Sequence, residues 1–264
     1  MATLGDKAVG SIVKLNVNGT ATEFIIVHQG LPSSMYDSSC NGTWLLMKDV
    51  YTTMAWDSNT GNYSASGVHT YLNSTFIGLL EDNIRDQILQ AKIPYCSNYN
   101  NNTILSGANG LSTKIFLLSG YELGWTTKSS SNFRIDGACL NYFEGLPNTS
   151  AKRIGYYSGN AQAWWTRSPF FSWSSSQYSS LLVDATGYFG GTYATNINGI
   201  RPALILPTKL KIDDSGLVVV GGAINGYVNI GGAQKELVGG YVNIGGTWKE
   251  IVKQYTNVGG VWKE

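Results

Sequence analysis

Residue types that usually perform chemistry are few and scattered in this sequence. Its two histidines, His28 and His69, stand apart from any cysteine or acidic cluster. The patterns that mark hydrolases and zinc proteases, such as GxSxG and HExxH, do not occur. An acidic group at Glu81, Asp82 and Asp86 is expected to form the solvated face of a helix, although the sequence leaves a pair of glycosidase carboxylates open. We therefore expect no catalytic residues, and the sequence predicts that the protein is not an enzyme.

Metal and disulfide chemistry also lack the residues that they need. Cys40, Cys96 and Cys139 are far apart and form no CxxC pair, so no zinc site is expected. Three buried or free thiols are favoured over one disulfide, because no secretion signal is visible. Asp213 and Asp214 alone supply too few oxygens for calcium, so any glycan binding would be independent of calcium. We therefore predict no metal and no cofactor.

The richest recognition chemistry lies in residues 164–206. WWTRSP opens this segment at residues 164–169, and GIRPALIL closes it at residues 199–206. Between them, residues 170–199 hold seven aromatic residues and a single charge, Asp184. Tyrosine and tryptophan give rigid contact area, while serine and asparagine give adaptable hydrogen bonds, which is the composition of a binding surface. The predicted ligand-binding residues are Trp165, Phe170, Phe171, Trp173, Tyr178, Tyr188, Phe189, Tyr193, Asn196 and Asn198.

A supporting framework is expected beneath that surface. Adjacent strand residues face opposite ways, so one of Trp164 and Trp165 is expected in the core and the other at the surface, with both in the core as the alternative. Arg167 and Arg201 are interpreted as framework residues that bond loop carbonyls or pair with a buried acid such as Glu122. For some of the aromatic residues predicted to bind a ligand, a place in the core is the alternative.

The low charge content limits the classes of partner. Charged residues make up 13% of the 264 residues and the net charge is +1, so capture of nucleic acid or of an anionic membrane is not expected. Many Ser, Thr, Asn, Gly and Tyr residues indicate a β-leaning surface protein rather than a cytosolic metabolic enzyme. No signal peptide is visible, and no apolar run reaches the roughly 20 residues of a membrane span, which predicts no membrane insertion.

Sequence periodicity predicts the elements that position these residues. Alternating apolar residues at 13–17, followed by Asn18-Gly19, predict a β-hairpin. The apolar spacing after residue 67 becomes helical, which predicts a short helix, a break near Asn73 and a longer helix to about Ala91. Short apolar strands are predicted at 24–27, 43–47 and 114–119.

The C-terminal end carries an internal repeat. YVNIGGAQKE begins at Tyr227, YVNIGGTWKE at Tyr241 and YTNVGGVWKE at Tyr255, so the tyrosines recur every 14 residues. Each copy is expected to form a β-hairpin around its Gly-Gly pair. One such hairpin cannot stabilise itself, so the copies either cap the main core or form an oligomerisation or docking module. The predicted domains are residues 1–210, a linker at 211–222, and three 14-residue hairpin repeats at 223–264.

Several motifs carry a resemblance to a known family. FLLS at 116–119, Glu122, WWTRSP and GIRPAL, with Tyr71-Leu72-Asn73 ahead of them, resemble the DUF6273 family of bacterial and phage proteins. That family is similar to the formylglycine-generating-enzyme branch of the C-type lectin fold. The resemblance covers residues 5–207 and implies an α+β, C-type-lectin-like domain, followed by the small β-hairpin module. The C-terminal repeats resemble those of phage tail proteins.

The resemblance also bears on enzymatic activity and on sequence variation. The formylglycine-generating relatives are oxidases that use a cysteine pair in the region after Trp165, whereas no cysteine follows Cys139 here. The copper-thiolate ligands are therefore missing, and a formylglycine-generating-like enzyme is the least favoured function. Related lectin-fold proteins diversify a Tyr/Ser/Asn-rich surface, and residues 170–198 have a similar composition.

Together the two resemblances imply a virion protein of a phage, or of a phage-tail-like particle. Such a protein is made in the host cytoplasm, which would explain the missing signal peptide. The expected function is receptor binding and host attachment, through non-covalent binding of a bacterial cell-surface glycan or protein. The alternative is a structural virion component, such as a baseplate, tail or decoration protein, that contacts other virion proteins. The repeats are expected to support a homo-oligomer, with a trimer as one option, which would raise avidity.

Overall fold

The chain divides into two compact units. The structure, a computed structural model, describes residues 2–58, 61–98, 103–125, 135–170 and 179–220, together with paired backbone segments between residues 226 and 263. The first unit comprises Met1–Val218 and the second Val219–Glu264. In these described parts of the chain, no helix has the length and apolar character needed to cross a membrane.

Strands dominate the first unit, and its described helices are short. In chain order the strands are β1 (Ile12–Val17), β2 (Thr20–Gly30), β3 (Gly42–Met47), β4 (Thr52–Ala55), β5 (Ala91–Ile93), β6 (Tyr95–Asn98), β7 (Thr103–Leu105), β8 (Leu111–Thr113), β9 (Ile115–Phe116), β10 (Gly155–Tyr157), β11 (Asn160–Gln162), β12 (Trp164–Pro169), β13 (Ser179–Val183), β14 (Phe189–Tyr193), β15 (Ile197–Ile200), β16 (Ala203–Leu206), β17 (Lys211–Ile212) and β18 (Val218–Val219). The α-helices are α1 (Gly67–Ser74) and α2 (Asp82–Gln87). Short 3-10 helices occupy Leu4–Asp6, Ser38–Cys40, Tyr63–Ala65, Phe76–Leu79, Gly107–Asn109, Asn141–Phe143 and Ala151–Arg153.

The first sheet has five strands in the order β1-β2-β3-β16-β9. Asn18 and Gly19 have positive φ angles of 50° and 74°, and they form the tight turn between β1 and β2 that the sequence predicts. β3 is buried along its whole length, with β2 on one side and β16 on the other. The strands predicted at 24–27 and 43–47 are therefore confirmed.

The second sheet has five strands in the order β14-β13-β12-β15-β4. Its middle strand, β12, carries the WWTRSP motif, runs parallel to β15 and is antiparallel to β13. Every residue of β12 and of β13 is buried. Trp164 and Trp165 are therefore both in the core, which is the alternative stated for them above, and the alternation between a core face and a surface face does not occur at β12.

Trp44 on β3 belongs to a hydrophobic core that contains residues of both five-stranded sheets. Its side chain is fully buried, and its ring meets those of Tyr36 and Phe116 edge-on, with centroids 5.5 Å apart in each case. The indole N–H donates to the carbonyls of Cys40 and Gly30, at 3.0 and 3.2 Å. The two ring contacts hold the apolar part of the indole in place, and the two hydrogen bonds satisfy its one polar atom.

The expected α+β, lectin-like class is wrong. Strands make up 40% of the structure and helices 18%, so the fold is β-rich, and the lectin-like assignment is not retained. The predicted long helix is replaced by the Phe76–Leu79 turn, α2 and β5. The Leu89 amide donates to the Ile205 carbonyl, and β5 pairs with β8, so long-range strand pairing overrides the helical spacing.

Two smaller regions complete the described chain. β17 pairs with β18, so a small hairpin occupies much of the segment that the sequence analysis expected to be a linker. In the second unit, β19 (Gly226–Ile230) pairs with β20 (Ala233–Leu237), β21 (Tyr241–Ile244) with β22 (Thr247–Glu250), and β23 (Thr256–Val258) with β24 (Val261–Lys263). Each repeat copy thus contains one antiparallel strand pair, with its Gly-Gly between the two strands.

Candidate functional site

A buried ion pair joins β12 to the segment that follows β9. Arg167 contacts the Glu122 carboxylate through both ends of its guanidinium, at 2.5 Å from Nη1 and 2.6 Å from Nη2, and both side chains are fully buried. The guanidinium also donates to the carbonyls of Pro94 and Leu117 at 3.0 Å and of Asp136 at 2.9 Å. All five guanidinium donors therefore have acceptors, which is the condition under which a buried charge is tolerated.

Further donors hold the Glu122 carboxylate in place. The Tyr36 hydroxyl donates to it at 2.6 Å and the Ser119 amide at 2.9 Å. Burial, reinforced by the Glu122 charge, raises the pKa of Tyr36 well above its usual range, so this hydroxyl stays a donor. Burial alone would lower the pKa of Arg167, but the Glu122 carboxylate raises it instead. The cluster therefore holds together, by non-covalent bonds, segments that are far apart in the sequence.

Asp136 is a second buried carboxylate beside the same arginine. Its two carboxylate oxygens accept from the Ser168 hydroxyl, at 3.0 and 2.8 Å. The Arg167 guanidinium donates only to its backbone carbonyl. Burial raises its pKa to about 6, although Arg167 and Ser168 act to lower it. The next residue, Gly137, permits this close packing, because a Cβ there would lie 2.7 Å from the Ser119 Oγ.

The unfolding free energy of the first unit is expected to depend on pH through Asp136. The folded protein holds this proton to about pH 6, whereas the ordinary pKa is 3.8. The part of the unfolding free energy that comes from this proton is therefore fully present below the ordinary pKa. It is lost as pH rises towards 6, at up to about 1.4 kcal/mol per pH unit. Urea unfolding of the native protein and of Asp136→Asn, between about pH 4 and about pH 7, measures it. Equal pH slopes in the two proteins would exclude this role.

Arg201, the second predicted framework arginine, has no carboxylate partner among the described residues. Its guanidinium donates to the carbonyls of Met47, Lys48 and Arg153, at 3.1, 2.7 and 3.1 Å. It lies 4.6 Å above the ring of Trp164, which is also fully buried. Burial lowers the pKa of Arg201 to about 10, so the group stays charged at neutral pH. Carbonyl oxygens and an aromatic face thus take the place of a counterion.

A third buried arginine, Arg153, was not identified from the sequence. Its guanidinium lies 4.7 Å from the ring centroid of Phe189, and that ring stacks on Trp125 at 5.1 Å with an interplanar angle of 8°. Its Nε donates to the Leu123 carbonyl at 2.8 Å, and its Nη1 to that of Pro147 at 2.8 Å. Asp136 and Tyr36 were missed for the same reason: their partners lie far away in the sequence, and no local pattern marks them.

The structure separates those predicted ligand-binding residues that it describes into three groups. Trp165, Phe189 and Asn198 are buried, so they are removed from the candidate surface. Phe170 is half-buried, because its ring packs where a Cβ of Gly191 would lie. Those on the surface are Tyr188, Tyr193 and Asn196. The predictions for Phe171, Trp173 and Tyr178 lie outside the described residues.

The three exposed residues lie at the two ends of β14. Tyr188 is 48% exposed and Tyr193 is 43% exposed. The turn before the strand is closed by Asp184, whose Oδ1 accepts from the Tyr188 amide at 3.0 Å. The turn after it is closed by Asn196, whose side-chain amide donates to the Thr192 hydroxyl at 2.6 Å and whose backbone N–H donates to the Tyr193 carbonyl. We call β14, with Tyr188 and Asn196, the β14 edge.

The β14 edge offers aromatic rings, amides and hydroxyls, but no group with acid–base chemistry near neutral pH. Such a surface binds by stacking and hydrogen bonding rather than by proton transfer or nucleophilic attack. Over the same described ranges, no cluster of three or more His, Cys, Asp or Glu side chains is arranged to hold a metal ion. The groups that this surface does present are suited to stacking and hydrogen bonding.

Comparison with known proteins adds a family but no function. The family model described as "Domain of unknown function (DUF6273)" matches residues 41–208, which is more than half of the chain. The matched range contains the whole second sheet and strands β3, β9 and β16 of the first sheet. No curated protein and no solved structure matches the sequence.

Proposed function

The chain belongs to the DUF6273 family, whose function is unknown, and from this premise we propose that it is a non-enzymatic binding protein that attaches a phage, or a phage-tail-like particle, to a bacterial cell surface. In this proposal the exposed residues of the β14 edge, Tyr188, Tyr193 and Asn196, contact the ligand. The ligand is a glycan or protein of the host surface, and it is held without covalent chemistry.

One contrast between the interior and the surface supports this function. Glu122, Asp136 and Arg167 could perform acid–base chemistry, but all three are fully buried and bonded within one cluster, so a substrate cannot contact them. Tyr188 and Tyr193 instead present nearly half of their surface to solvent, on a strand whose ends are fixed by hydrogen-bonded turns. Aromatic residues held in this way lose little conformational entropy on binding.

The C-terminal repeats support the particle context of the proposal. Their sequence resembles that of phage tail repeats, and each copy contains one antiparallel strand pair. A repeated module is a means of joining several copies of a binding domain. Several weak sites held together bind a repetitive cell surface far more tightly than one site does.

The proposal predicts that Tyr188→Ala combined with Tyr193→Ala lowers adsorption of the labelled protein to host cells by about tenfold or more, as loss of an aromatic anchor does at interfaces. Both side chains are exposed, so the unfolding free energy should change little. The matched control is Tyr156→Ala with Tyr157→Ala, which removes two exposed tyrosines from the β10–β11 hairpin. Saturation binding of the folded variants to whole cells measures the effect.

The outcomes of this experiment are distinct. An equal loss in both double variants would exclude the β14 edge as the site. Binding that disappears after periodate treatment of the cells identifies a glycan, whereas binding that disappears only after protease treatment identifies a protein. If the native protein does not bind, and particles carrying Tyr188→Ala and Tyr193→Ala fail to assemble, the protein is a structural virion component instead.

A further inference from the structure

A buried histidine on β2 holds the backbone of a distant segment. His28 lies opposite Trp44 on β3, only 7% of it is exposed, and the two rings meet edge-on with centroids 6.5 Å apart. Its Nδ1 atom accepts from the backbone amide of Asn141 at 3.4 Å. The imidazole therefore joins β2 to the 3-10 helix Asn141–Phe143, which begins 113 residues further along the chain.

The bond to Asn141 requires a neutral His28. A backbone amide can only donate, so the Nδ1 atom that accepts from it must carry a lone pair and no proton. Protonation would place an N–H on Nδ1 directly against the Asn141 N–H, and two donors repel each other. The Asn141 amide has no other acceptor in the described parts of the chain, so the loss of this bond would leave it unpaired.

Two bonds that do not titrate near neutral pH hold the chain on either side of Asn141. Before it, the Leu140 amide donates to the Glu122 carbonyl at 3.0 Å. After it, Arg153 Nη1 donates to the Pro147 carbonyl at 2.8 Å. The contact that depends on a proton lies between these two fixed points, so its loss would open the chain locally and would leave the domain folded.

Burial opposes the protonation of His28 in the folded protein. It lowers the pKa of the imidazole below the ordinary 6.5, although a bond to the Leu31 backbone and the Glu122 charge act to raise it. The charged or titratable side chains on the elements around the ring are Tyr36, Glu122 with its partner Arg167, Cys139, Tyr142 with the neighbouring Lys152, and Asp6 and Lys7 on the N-terminal segment beside β2. An opened chain lacks this burial, so opening takes up a proton and becomes easier as pH falls.

We propose that the bond between His28 and Asn141 is an acid-sensitive contact: proton uptake by the imidazole breaks it, and the chain at Asn141 opens away from β2. This inference goes beyond the binding function and does not depend on it. Asp136, in the same segment, responds in the opposite sense, because its raised pKa makes protonation favour the folded state. Acidification therefore weakens the attachment at Asn141 without weakening the buried cluster at Asp136.

Hydrogen exchange of the backbone amides of the full chain tests the proposal, expressed as protection factors so that the pH dependence of exchange itself is removed. In the native protein the protection of Asn141 should fall by up to about tenfold for each pH unit below 6.5, because opening takes up one proton. The fall should end at the pKa of His28 in the folded protein, below which both states carry the proton. The Leu140 amide, bonded to the Glu122 carbonyl, should keep its protection over the same range.

Two variants separate His28 from the other groups that titrate. His28→Asn offers a neutral acceptor close to the position of Nδ1, so the protection of Asn141 should no longer depend on pH. His69→Asn is the matched control, because His69 is half-buried and its Nδ1 lies 3.4 Å from the side-chain amide of Asn73. That amide also donates to the Ile115 carbonyl at 2.8 Å, so it keeps an acceptor. The control should retain the native pH slope at Asn141.

NMR titration of the His28 ring in the native protein supplies a second measurement that needs no variant, and its midpoint is expected below 6.5. A midpoint at or above 6.5 would overturn the proposal. So would an equal pH slope at Asn141 in the native protein and in His28→Asn, or a native protein in which Asn141 keeps full protection at about pH 5. A parallel loss of protection at Leu140 would also overturn it, since the whole domain would then be unfolding.

Discussion

Replacing Glu122 with glutamine is expected to lower the free energy of unfolding of the first unit by about 3–5 kcal/mol, a large part of the stability of a typical domain. Glutamine keeps the shape of the side chain but removes its charge, so Arg167 would stay buried without a counterion. Its amide group would also place an N–H against donors from Arg167 or the Ser119 amide, which both need an acceptor. Neither defect can be relieved by solvent, because the cluster is fully buried.

Urea unfolding followed by tryptophan fluorescence measures this effect, and the chain offers a matched control. Glu23 pairs with Lys48 at 2.6 Å, but the two side chains are 43% and 46% exposed. Glu23→Gln is therefore the same chemical change in a solvated ion pair, and its expected cost is at most about 1 kcal/mol. Similar losses in the two variants would show that the Arg167–Glu122 pair does not carry the stability assigned to it here.

Replacing Trp44 with alanine is expected to cost about 3–5 kcal/mol, through lost apolar burial and the cavity that remains. The Tyr36 and Phe116 rings both pack edge-on against the indole and would face that cavity. Both belong to the same core, and Tyr36 also donates to Glu122. Removal of the Trp44 side chain is therefore also expected to weaken the Arg167–Glu122 ion pair. Thermal unfolding, with Tyr156→Ala as an exposed aromatic control, measures the difference.

Trp44→Phe separates the two contributions of this residue. Phenylalanine fills most of the volume but cannot donate to the carbonyls of Cys40 and Gly30, so its cost should be clearly below that of alanine. An equal cost for phenylalanine and alanine would mean that the indole N–H, rather than the packing of the ring, determines the stability at this position.

Local signals were the part of the fold that sequence analysis could predict. The Asn18-Gly19 turn is determined by positive φ angles that few other residue pairs tolerate, and the run at 43–47 is apolar enough to require a buried strand. The helix predicted to reach Ala91 failed, because the backbone beyond Ile88 is taken up by pairing with distant strands. Helical spacing and a doubly buried strand are hard to distinguish in short apolar runs.

The candidate site likewise contains one feature that the sequence predicts and others that depend on distant parts of the chain. The pairing of Arg167 with a buried acid such as Glu122 followed from the need of an isolated arginine for partners, and the structure places the two in contact. The expectation of Trp165 at the surface rests on strands having one solvated face, but β12 lies in the middle of its sheet and is buried on both faces. Asp136 and Arg153 escaped notice, since nothing near them in the sequence indicates burial.

The strand order of the first unit also has a consequence for its synthesis. β3 needs β16 as its second neighbour and β4 needs β15, so early strands keep an open edge until about residue 206 has left the ribosome. At translation rates of about 5–20 residues per second, the apolar β2–β3 pair waits for roughly ten seconds or more. Arg201 must then reach the carbonyls of Met47 and Lys48, some 150 residues earlier. The domain therefore closes only after most of it has been made, so its early apolar strands stay unpaired on one edge during synthesis.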